Sequence, residues 1–512
     1  VPLAAALLAV RHLRKRPRCA AAVPARPVLG NFWEFLCAFL EKSHLALFDT
    51  WHAQYGKTFA FDTLGALPGF GAYRVSTVDP KNIEWILKTN VSNYPKGTNV
   101  FYKPFFDVLG DGIFNVDGEK WMHQRKISSR LFTINSFKTH IWACITAGMA
   151  KVDQILHRDS EVDMFNLMNR FTLDTIGVIG FSTNIGSLED PSSPFLTSFD
   201  MAQQTLVHRH IFAPHGGWRL FRFFGILWER NFSTHASRLD TFARGIAREL
   251  KEKVKTGSDN SFVGLFLADG SQGHSGSAYS GRDEESFLRD MILNFLIAGR
   301  DTTAQAVSWT IFELAQAPRV ATKMREEVKQ VCGDGPISFD HAAKDLKYVQ
   351  AVTHEGLRLH PSVPVNVKHA EADDVWPDGT FVPAGTLVHF SPFCQGRCAE
   401  IWGADCREFR PERWLEREAR PTAFEFSAFN AGARECLGRR LAELEMVAFL
   451  ANFVRRYRFE LAVPASGIGQ DMQLTIGMRP GLPLKVHPLD PDAQHAAAHV
   501  CASMAGAAGG TD

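Results

Sequence analysis

The sequence predicts a mainly α-helical protein with small β-sheets. Residues 134–250 have apolar side chains at helical spacing with few turn signals, and residues 288–314 are apolar on all sides, as in a buried helix. After a glycine-bent loop at residues 429–438, apolar residues again recur at helical spacing: Leu437, Leu441, Leu444 and Ala448. The predicted strands are short and bounded by Gly, Pro and Asp, which favours small sheets beside a helical body.

The composition is that of a globular protein. Of 512 residues, 45% are apolar and 22% charged, and the formal net charge of +1 gives no reason to expect a nucleic-acid partner. Nine cysteines, an odd number spread widely, do not indicate a disulfide framework and fit a reducing, cytosol-facing environment. Length alone favours about three domains. Because their neighbours lack the pairing of zinc ligands, we interpret three cysteines as ordinary thiols: Cys394, Cys398 and Cys406.

The beginning of the chain has the pattern of a membrane anchor. Residues 1–10 form an apolar run that is too short to span a bilayer, and R-H-L-R-K-R-P-R follows at once. The first residue is Val1, so we expect residues 1–23 to be a truncated N-terminal membrane anchor with its basic stop. A targeting peptide and a frayed tail are the alternatives. The Pro- and Gly-containing stretch at residues 24–31 favours the anchor, since it resembles a hinge.

The next hundred residues alternate between helices and short strands. We predict an amphipathic helix at residues 33–49, strands at 58–62 and 73–78, and a helix at 80–88. Residues 93–114 lack periodicity and are predicted to be a loop, whose aromatic residues either line a ligand cavity or fill core: Phe101, Phe105 and Phe106.

The rest of the chain contains a basic cluster, a Gly- and Ser-rich connection, further strands and an Ala- and Gly-rich tail. Within the helical region, a basic cluster is either a solvated face or a contact for an acidic ligand: His208, Arg209 and His210. Residues 257–282 are rich in Gly and Ser and are predicted to be a flexible connection. Strands are expected at 362–369, 379–390 and around 475–482. The Ala- and Gly-rich tail at residues 488–512 is predicted to be disordered.

A single cysteine dominates the loop F-N-A-G-A-R-E-C-L-G at residues 429–438. Cys436 stands where the loop enters a helix, so the free N–H groups and the helix dipole are expected to favour a thiolate. One thiolate without a second Cys or His nearby does not build a tetrahedral zinc site. It suits the axial position of a porphyrin iron, where a thiolate favours O–O cleavage. A buried structural cysteine is the alternative.

The pattern F-x-x-G-x-R-x-C-x-G resembles the heme-binding signature of the cytochrome P-450 superfamily. The resemblance implies heme b as cofactor, with Cys436 as the iron ligand and three further cofactor-binding residues: Phe429, Arg434 and Gly438. It also implies the cytochrome P-450 fold for residues 24–487, as one catalytic domain rather than three. The heme is then expected between an oxygen-activation helix and the cysteine loop.

Two further motifs support the resemblance on the heme side. In G-E-K-W-M-H-Q-R-K, Trp121 and Arg125 lie four residues apart, hence on one helix face. In the family such a pair hydrogen-bonds a heme propionate, a role that the resemblance also gives to Arg434 and, more loosely, to Lys368. An ordinary surface helix with a solvated arginine is the alternative.

The motif A-G-R-D-T-T resembles the oxygen-activation motif of the family. Polar groups in a buried helix are costly, so Asp301 and Thr302 require a reason. The resemblance makes them catalytic, with the threonine hydroxyl bonding dioxygen and the acid relaying protons, and places Ala298 against the cofactor. Gly299 is expected to let the helix open locally. The alternative is a threonine that bonds back to a helix carbonyl.

A third pattern predicts a structural network. H-E-G-L-R-L-H-P places Glu355 three residues before Arg358, and F-R-P-E-R-W contains Arg413. The resemblance implies that these three charges form a buried network beneath the heme.

The function implied is that of a heme-thiolate monooxygenase acting on a lipophilic substrate with O2. Electrons are expected from NADPH through NADPH-cytochrome P-450 reductase, which would dock on a basic patch formed by four residues: Lys126, Arg130, Arg439 and Arg440. Alternatives are a lipid hydroperoxide isomerase or dehydratase that needs neither O2 nor reductase, and a non-enzymatic heme sensor. The retained Thr302 argues against both. The endoplasmic reticulum membrane is the expected location, with a plastid membrane as the alternative.

The substrate hypothesis is fatty-acid ω-hydroxylation. N-F-L-I-A-G-R-D-T-T, E-I-W-G-A-D-C-R-E-F-R-P-E-R-W-L and F-S-A-F-N-A-G resemble the plant and algal ω-hydroxylase branch. Forty Phe against seven Tyr are compatible with an apolar acyl channel. The carboxylate is expected to meet His208, Arg209 or His210, and sterol or carotenoid hydroxylation is the alternative.

Overall fold

A long helix crosses the protein and most other helices pack around it. The computed structural model describes residues 16–26, 30–63, 72–130, 137–212, 216–255 and 283–489. Its helices are α1 Phe32–Leu40, α2 His44–Tyr55, α3 Pro80–Glu84, α4 Lys103–Leu109, α5 Gly118–Ser129, α6 Trp142–Arg158, α7 Met164–Phe181, α8 Pro194–Phe212, α9 Trp218–Phe224, α10 Phe232–Lys255, α11 Glu284–Gln316, α12 Pro318–Cys332, α13 Lys347–Leu359, α14 Pro392–Gln395, α15 Ala399–Trp402, α16 Arg413–Glu416 and α17 Arg439–Arg456.

In the described ranges the strands form four small sheets. They are β1 Ala21–Ala22, β2 Thr58–Thr63, β3 Ala72–Thr77, β4 Glu161–Asp163, β5 Asn366–His369, β6 Asp374–Val375, β7 Phe381–Val382, β8 Leu387–Phe390, β9 Tyr457–Leu461, β10 Gly469–Met472, β11 Ile476–Arg479 and β12 Pro483–Pro488. The largest sheet has the order β1-β2-β3-β8-β5, and its β3–β8 pair is parallel. The others are β4-β12-β9 and two hairpins, β6-β7 and β10-β11. This architecture confirms the predicted mainly α fold with small sheets.

Helix α11 is the centre of the packing because it is buried on nearly all sides. Its 33 residues begin at a side-chain cap, where Asp283 accepts from the backbone N–H of Ser286. Its first half packs in a core cluster with α7, α8 and α10, and its second half packs in a larger cluster with α12, α13 and α17. A helix buried in this way is held by tertiary packing rather than by propensity.

Two predictions from the first hundred residues are wrong. The single helix expected at residues 33–49 is two helices, α1 and α2, separated by a turn in which Lys42 has φ +57°. The loop expected at residues 93–114 contains a helical turn at Thr98–Tyr102 that continues into α4. Pro104 lies in the first turn of α4, where its missing N–H costs no hydrogen bond, so a proline there does not stop the helix.

Three predictions concern residues outside the described ranges. They are the greater part of the anchor at 1–23, the Gly- and Ser-rich connection at 257–282 and almost all of the tail at 488–512. Within the ranges that are described, no helix has the length and apolar character needed to cross a membrane.

Candidate active site

One face of the central helix is open although the rest of the helix is buried. In the middle of α11, the residues around positions 295–302 are mostly buried. Four of them, at positions i, i+3, i+4 and i+7, are only partly buried: Phe295, Ala298, Gly299 and Thr302. This spacing puts all four on one side of the helix. We name them the open strip. It includes both Ala298 and Thr302, which the A-G-R-D-T-T motif singled out.

Thr302 is held by two hydrogen bonds. Its hydroxyl donates to the carbonyl of Ala298 over 2.7 Å, and its own carbonyl accepts from the Ser362 hydroxyl over 2.6 Å. The back-bonded geometry is therefore the one observed, as for Ser308 and Thr310 further along the helix. The hydroxyl oxygen keeps acceptor capacity on the open strip.

Gly299 serves close packing rather than local opening. The helix is continuous from Glu284 to Gln316, so the opening expected at Gly299 is not present. A Cβ at this position would lie 2.4 Å from the Cγ1 atom of Ile176 on α7. Glycine is required because two helices approach closely here, and the Thr172 hydroxyl bonds the carbonyl of Arg300 at the same crossing (2.8 Å).

Asp301 is buried beside an arginine that it shares with a second acid. Arg300 Nη1 donates to Asp301 Oδ1 (2.9 Å) and to Asp200 Oδ1 on α8 (2.7 Å), while Asp301 Oδ2 is buried without a hydrogen-bond partner in the described structure. Burial raises the pKa of Asp301 to about 6, although the Arg300 cation opposes the shift. The group thus titrates nearer to neutrality than a free aspartate.

The cysteine loop is shaped by a glycine and a backbone hydrogen bond. Gly432 has φ +59°, and a Cβ there would lie 2.3 Å from the carbonyl oxygen of Leu87. The backbone N–H of Cys436 donates to the carbonyl of Phe429 over 2.7 Å, which closes the loop. Gly438 is the N-cap of α17, so the cysteine precedes the helix by three residues.

Cys436 is accessible in a setting that disfavours charge. It is the cysteine with an exposed side chain among the eight in the described ranges. Even so, burial raises the pKa of its thiol, and the Gly438 N–H and the Arg125 cation only oppose the shift. The groups that would stabilise a thiolate here are thus present: the Gly438 N–H at the helix start and the Arg125 cation.

Trp121, Arg125 and Arg434 come together as the motifs predicted. The guanidinium of Arg434 lies over the Trp121 ring at 4.0 Å, and that of Arg125 lies 5.6 Å from the same ring. Arg434 also bonds the carboxylate of Asp117 and the carbonyl of Val116. The Cys436 sulfur acts electrostatically on Arg125, and Arg125 acts on Arg434, so the sulfur and both guanidinium groups lie in one region.

Two lysines extend this group, of which Lys96 is partly buried and Lys368 is buried. Lys96 bonds the Phe114 carbonyl through its ammonium, and Lys368 is buried on β5. Burial and the charge of Arg434 lower the pKa of Lys368 to about 8 and that of Lys96 well below its ordinary value. We define the cation cluster as Lys96, Arg125, Lys368 and Arg434. Asp117 is the carboxylate bonded to it in the described structure, so positive charge is in excess.

This donor set fits an iron porphyrin. A porphyrin with two propionates brings two carboxylates, which an excess of partly buried cations stabilises by charge-assisted hydrogen bonds. Its iron accepts one soft thiolate, which the accessible Cys436 provides. Trp121, Arg125, Arg434, Lys96 and Lys368 would then hold the propionates. The bound group supplies the redox chemistry, and the chain orients the substrate and excludes water.

The predicted structural network is confirmed. Glu355 accepts from Arg358 Nε and Nη2, both at 2.8 Å, and from Arg413 Nε at 2.9 Å. The Trp414 indole N–H donates to the same carboxylate at 2.9 Å. We name these four residues the Glu355 network. The three charged side chains are buried.

The side chains of the basic cluster on α8 make contacts within the protein. Arg209 is fully buried, and its guanidinium bonds Glu229 (2.6 and 2.8 Å) and Asp107 (2.7 Å). His210 bonds the carbonyl of Val100, and His208 stacks on the ring of Trp228. Arg209 is thus a structural cation that the protein already neutralises, and a carboxylate contact at His208 or His210 stays a prediction.

Sequence reasoning missed Lys96, Arg300 and Asp200. Each has a partner far along the chain, such as Asp200, which lies 100 residues before Arg300. A weak signal exists for Arg300, because a second charge beside Asp301 in a buried helix requires a counter-charge. No local pattern distinguishes Lys96 or Asp200 from surface residues.

Comparisons with known proteins agree with this geometry. The family model described as Cytochrome P-450 matches residues 25–482. The chain is 35% identical to cytochrome P-450 704C1 of Pinus taeda, over 81% of this chain and 84% of that protein. It is 31% identical to cytochrome P-450 94A2 of Vicia sativa, over 94% and 96% of the two chains. It is 33% identical to cytochrome P-450 86B1 of Arabidopsis thaliana, over 79% and 76%. The chain therefore belongs to the cytochrome P-450 family, the heme-thiolate monooxygenases to which a redox partner supplies electrons from NADPH.

Proposed function

We propose that this monooxygenase hydroxylates fatty acids at or near the terminal carbon. The observation that carries the proposal is the open strip, which offers a phenyl ring, a methyl group, a glycine and one hydroxyl. Such a surface suits an acyl chain, because each buried methylene contributes about 0.8 kcal/mol. The resemblance of the three motif stretches to the ω-hydroxylase branch supports the same substrate class.

Aromatic side chains beside α11 extend this apolar surface. Phe101 and Phe105 stack at 4.2 Å, and both lie in or against the core cluster that contains Ile297. Terminal hydroxylation is chemically difficult, since the neighbouring methylene C–H bonds are weaker. The protein must therefore hold the methyl end at the reacting position and keep the other carbons away.

The substrate assignment is tested by product analysis. Reconstituted enzyme with NADPH, reductase and O2 is incubated with fatty acids of about 12 to 18 carbons, and separately with sterols and carotenoids. We expect ω-hydroxy acids and consumption of NADPH in step with product. Conversion of sterols or carotenoids with fatty acids untouched would reject the substrate class. Product formation from hydroperoxides without NADPH would favour the isomerase alternative.

We also propose that Thr302 and Asp301 deliver protons to oxygen. Thr302 presents its hydroxyl on the open strip, and Asp301 has the raised pKa that suits a proton relay near neutral pH. Thr302→Ala should keep heme content and thermal stability while most NADPH is consumed without product. The ratio of product to NADPH measures this, with Thr310→Ala, a back-bonded threonine on a buried face, as the control. Equal coupling in Thr302→Ala and wild type would make Thr302 a helix residue only.

Electrons are proposed to come from NADPH-cytochrome P-450 reductase through the face that bears Lys126, Arg130 and Arg440. All three are exposed, whereas Arg439 pairs with Glu435 (3.1 Å) and Glu443 (3.0 Å), so it contributes less free charge than expected. Arg440→Glu should slow reduction at low ionic strength, and the difference should vanish at high salt. Reduction that is unchanged at every salt concentration would place the docking face elsewhere.

The endoplasmic reticulum membrane is the proposed location, and the structure contains a surface that fits a lipid layer. On and after α9, five apolar side chains are exposed: Leu220, Phe223, Phe224, Ile226 and Leu227. Phe223 is 82% and Phe224 66% exposed, and Arg219 and Arg222 flank them, which is the pattern of an interfacial helix on an anionic surface.

This surface is tested by binding of the full chain to anionic lipid vesicles. Phe223→Ser with Phe224→Ser should weaken vesicle binding about tenfold or more, because two phenyl rings are no longer buried in lipid. Leu415→Ser, an exposed leucine on α16, is the matched control and should change nothing. Equal binding of both variants would remove α9 from the membrane contact.

A further inference from the structure

Arg74 is a buried cation without an ion pair among the described residues. It lies in the middle of β3 and is 1% exposed. Five other arginines are buried in the described ranges, and each has a carboxylate oxygen within 3.0 Å: Arg209, Arg289, Arg300, Arg358 and Arg413. Arg74 has none within 4.0 Å there, and a buried charge left without a partner is strongly destabilising. Structural arginines of this protein are thus neutralised, and Arg74 is the exception.

The guanidinium is held in place but not fully bonded. Its Nε atom donates to the Thr63 hydroxyl (2.8 Å) and its Nη1 atom to His389 Nε2 (3.2 Å). Its Nη2 atom is buried without a hydrogen-bond partner in the part of the chain that is described. Asp62 acts on it through space only, and burial lowers the pKa of Arg74 to about 10, so the group is charged at neutral pH.

The surroundings of Arg74 lead toward the open strip. Arg74 pairs with Phe61 on one side and Leu387 on the other, and Leu387 packs against Val100. Beyond His389 lies His210, whose ring is 6.1 Å from Phe101 and 5.9 Å from Phe105. These two rings belong to the cluster against which Phe295 of the open strip packs. Arg74, which has no carboxylate partner in the described chain, is thus linked through His389, His210 and the Phe101–Phe105 stack to the cluster against which the open strip packs.

We propose that Arg74 binds the carboxylate of the acyl substrate. This inference rests on the proposed fatty-acid hydroxylation and assigns the head-group contact that Arg209 does not provide. A carboxylate supplies the missing counter-charge and an acceptor for Nη2, in the bidentate geometry that guanidinium favours. Thr63 and His389 position the guanidinium. Anchoring one end of the chain also limits which carbon reaches the open strip, so Arg74 is a specificity-determining residue.

The test compares a fatty acid with its methyl ester, which has the same chain without the charge. Both are measured by substrate-binding spectral titration and by kcat/KM in wild type and Arg74→Met. We expect wild type to prefer the acid, and Arg74→Met to weaken acid binding about 30-fold or more, as when one partner of a buried charge pair is removed, with little change for the ester. Arg74→Lys keeps the charge and should retain part of the preference.

The outcomes separate the two hypotheses. The role of Arg74 would be overturned if Arg74→Met lost binding affinity equally for the acid and the ester. It would also be overturned if wild type hydroxylated both and did not prefer the acid. Either result leaves the substrate class intact. Wild type that neither binds nor hydroxylates fatty acids would overturn both. Thermal melting of the holoprotein accompanies each titration. If Arg74→Met does not fold, Arg74→Lys and the wild-type preference between acid and ester decide the question.

Discussion

Two groups of charges, the buried Glu355 network and the partly buried cation cluster, differ in the balance of their charges. In the Glu355 network, two arginines meet Glu355 and Asp405, so that the charges cancel and the carboxylate of Glu355 is surrounded by donors. The cation cluster has four cationic side chains and, in the described structure, one bonded carboxylate, Asp117, which accepts from the Arg434 guanidinium and the Lys96 backbone N–H. A balanced network stabilises the fold alone, whereas an unbalanced one is stabilised when an anion binds. The degree of balance thus distinguishes a structural charge group from a binding site.

The largest effect is expected from a substitution that removes the sulfur at the edge of the cation cluster. Cys436→Ser should abolish turnover and the carbon-monoxide difference band typical of thiolate-ligated heme, because a neutral hydroxyl does not replace a thiolate donor. Difference spectroscopy and heme content measure the result. A variant that keeps the band and full activity would contradict the assignment of Cys436 as the iron ligand.

The second effect disrupts the balanced network. Glu355→Ala leaves two buried arginines without their shared carboxylate and should destabilise the protein by about 3–5 kcal/mol. Heme-free and heme-loaded protein should lose stability to a similar extent in denaturant unfolding, since the network does not touch the bound group. A loss confined to the heme-loaded form would show that the network acts on heme binding instead.

The third prediction concerns the cation cluster and has the opposite sign. Lys368→Met removes one of several repelling cations, so the heme-free protein should melt at the same or a higher temperature. Heme release should become about tenfold faster, because a propionate loses a partner worth about 1.4 kcal/mol. Lys344→Met, an exposed lysine that pairs with Asp340, is the control and should alter neither quantity. A destabilised heme-free Lys368→Met protein would mean that the cluster is balanced after all.

The smallest effect is expected at a single buried acid, Glu445, which belongs to neither group of charges. Burial raises the pKa of Glu445 to about 8, against a hydrogen bond with Thr175 that opposes the shift. A raised carboxyl pKa gives stability that is complete below about pH 4.5 and is lost as the pH rises toward 8. Wild type should therefore lose about 2 kcal/mol between pH 6 and 8, and Glu445→Gln should not. Parallel curves for the two proteins would show that Glu445 titrates normally.

The local motifs could be predicted from the sequence because the residues of each lie within a few positions of one another. Trp121 and Arg125 share a helix face at i, i+4, and Glu355 and Arg358 do so at i, i+3. The structure places both pairs as those spacings predict. The apolar length of α11 likewise identified the central helix, and the period of its open strip follows from the same helical geometry.

Other expectations failed where the deciding contact comes from a distant part of the chain. Arg209 looked like a ligand contact until Asp107, 102 residues away, neutralised it. Gly299 looked like a point of opening, but its role depends on Ile176 of another helix.

The sequence by itself determined the mainly helical fold, the single thiolate and the residues of the heme-side motifs, because helical spacing and short loop patterns act over a few neighbouring positions. Only the tertiary structure decided which charges are balanced. Arg74 and Arg209 are both buried arginines. Arg209 pairs with two carboxylates, whereas Arg74 has none within 4.0 Å in the described chain. The difference arises because a counter-charge is brought to a buried cation by folding, over sequence distances that no local pattern records.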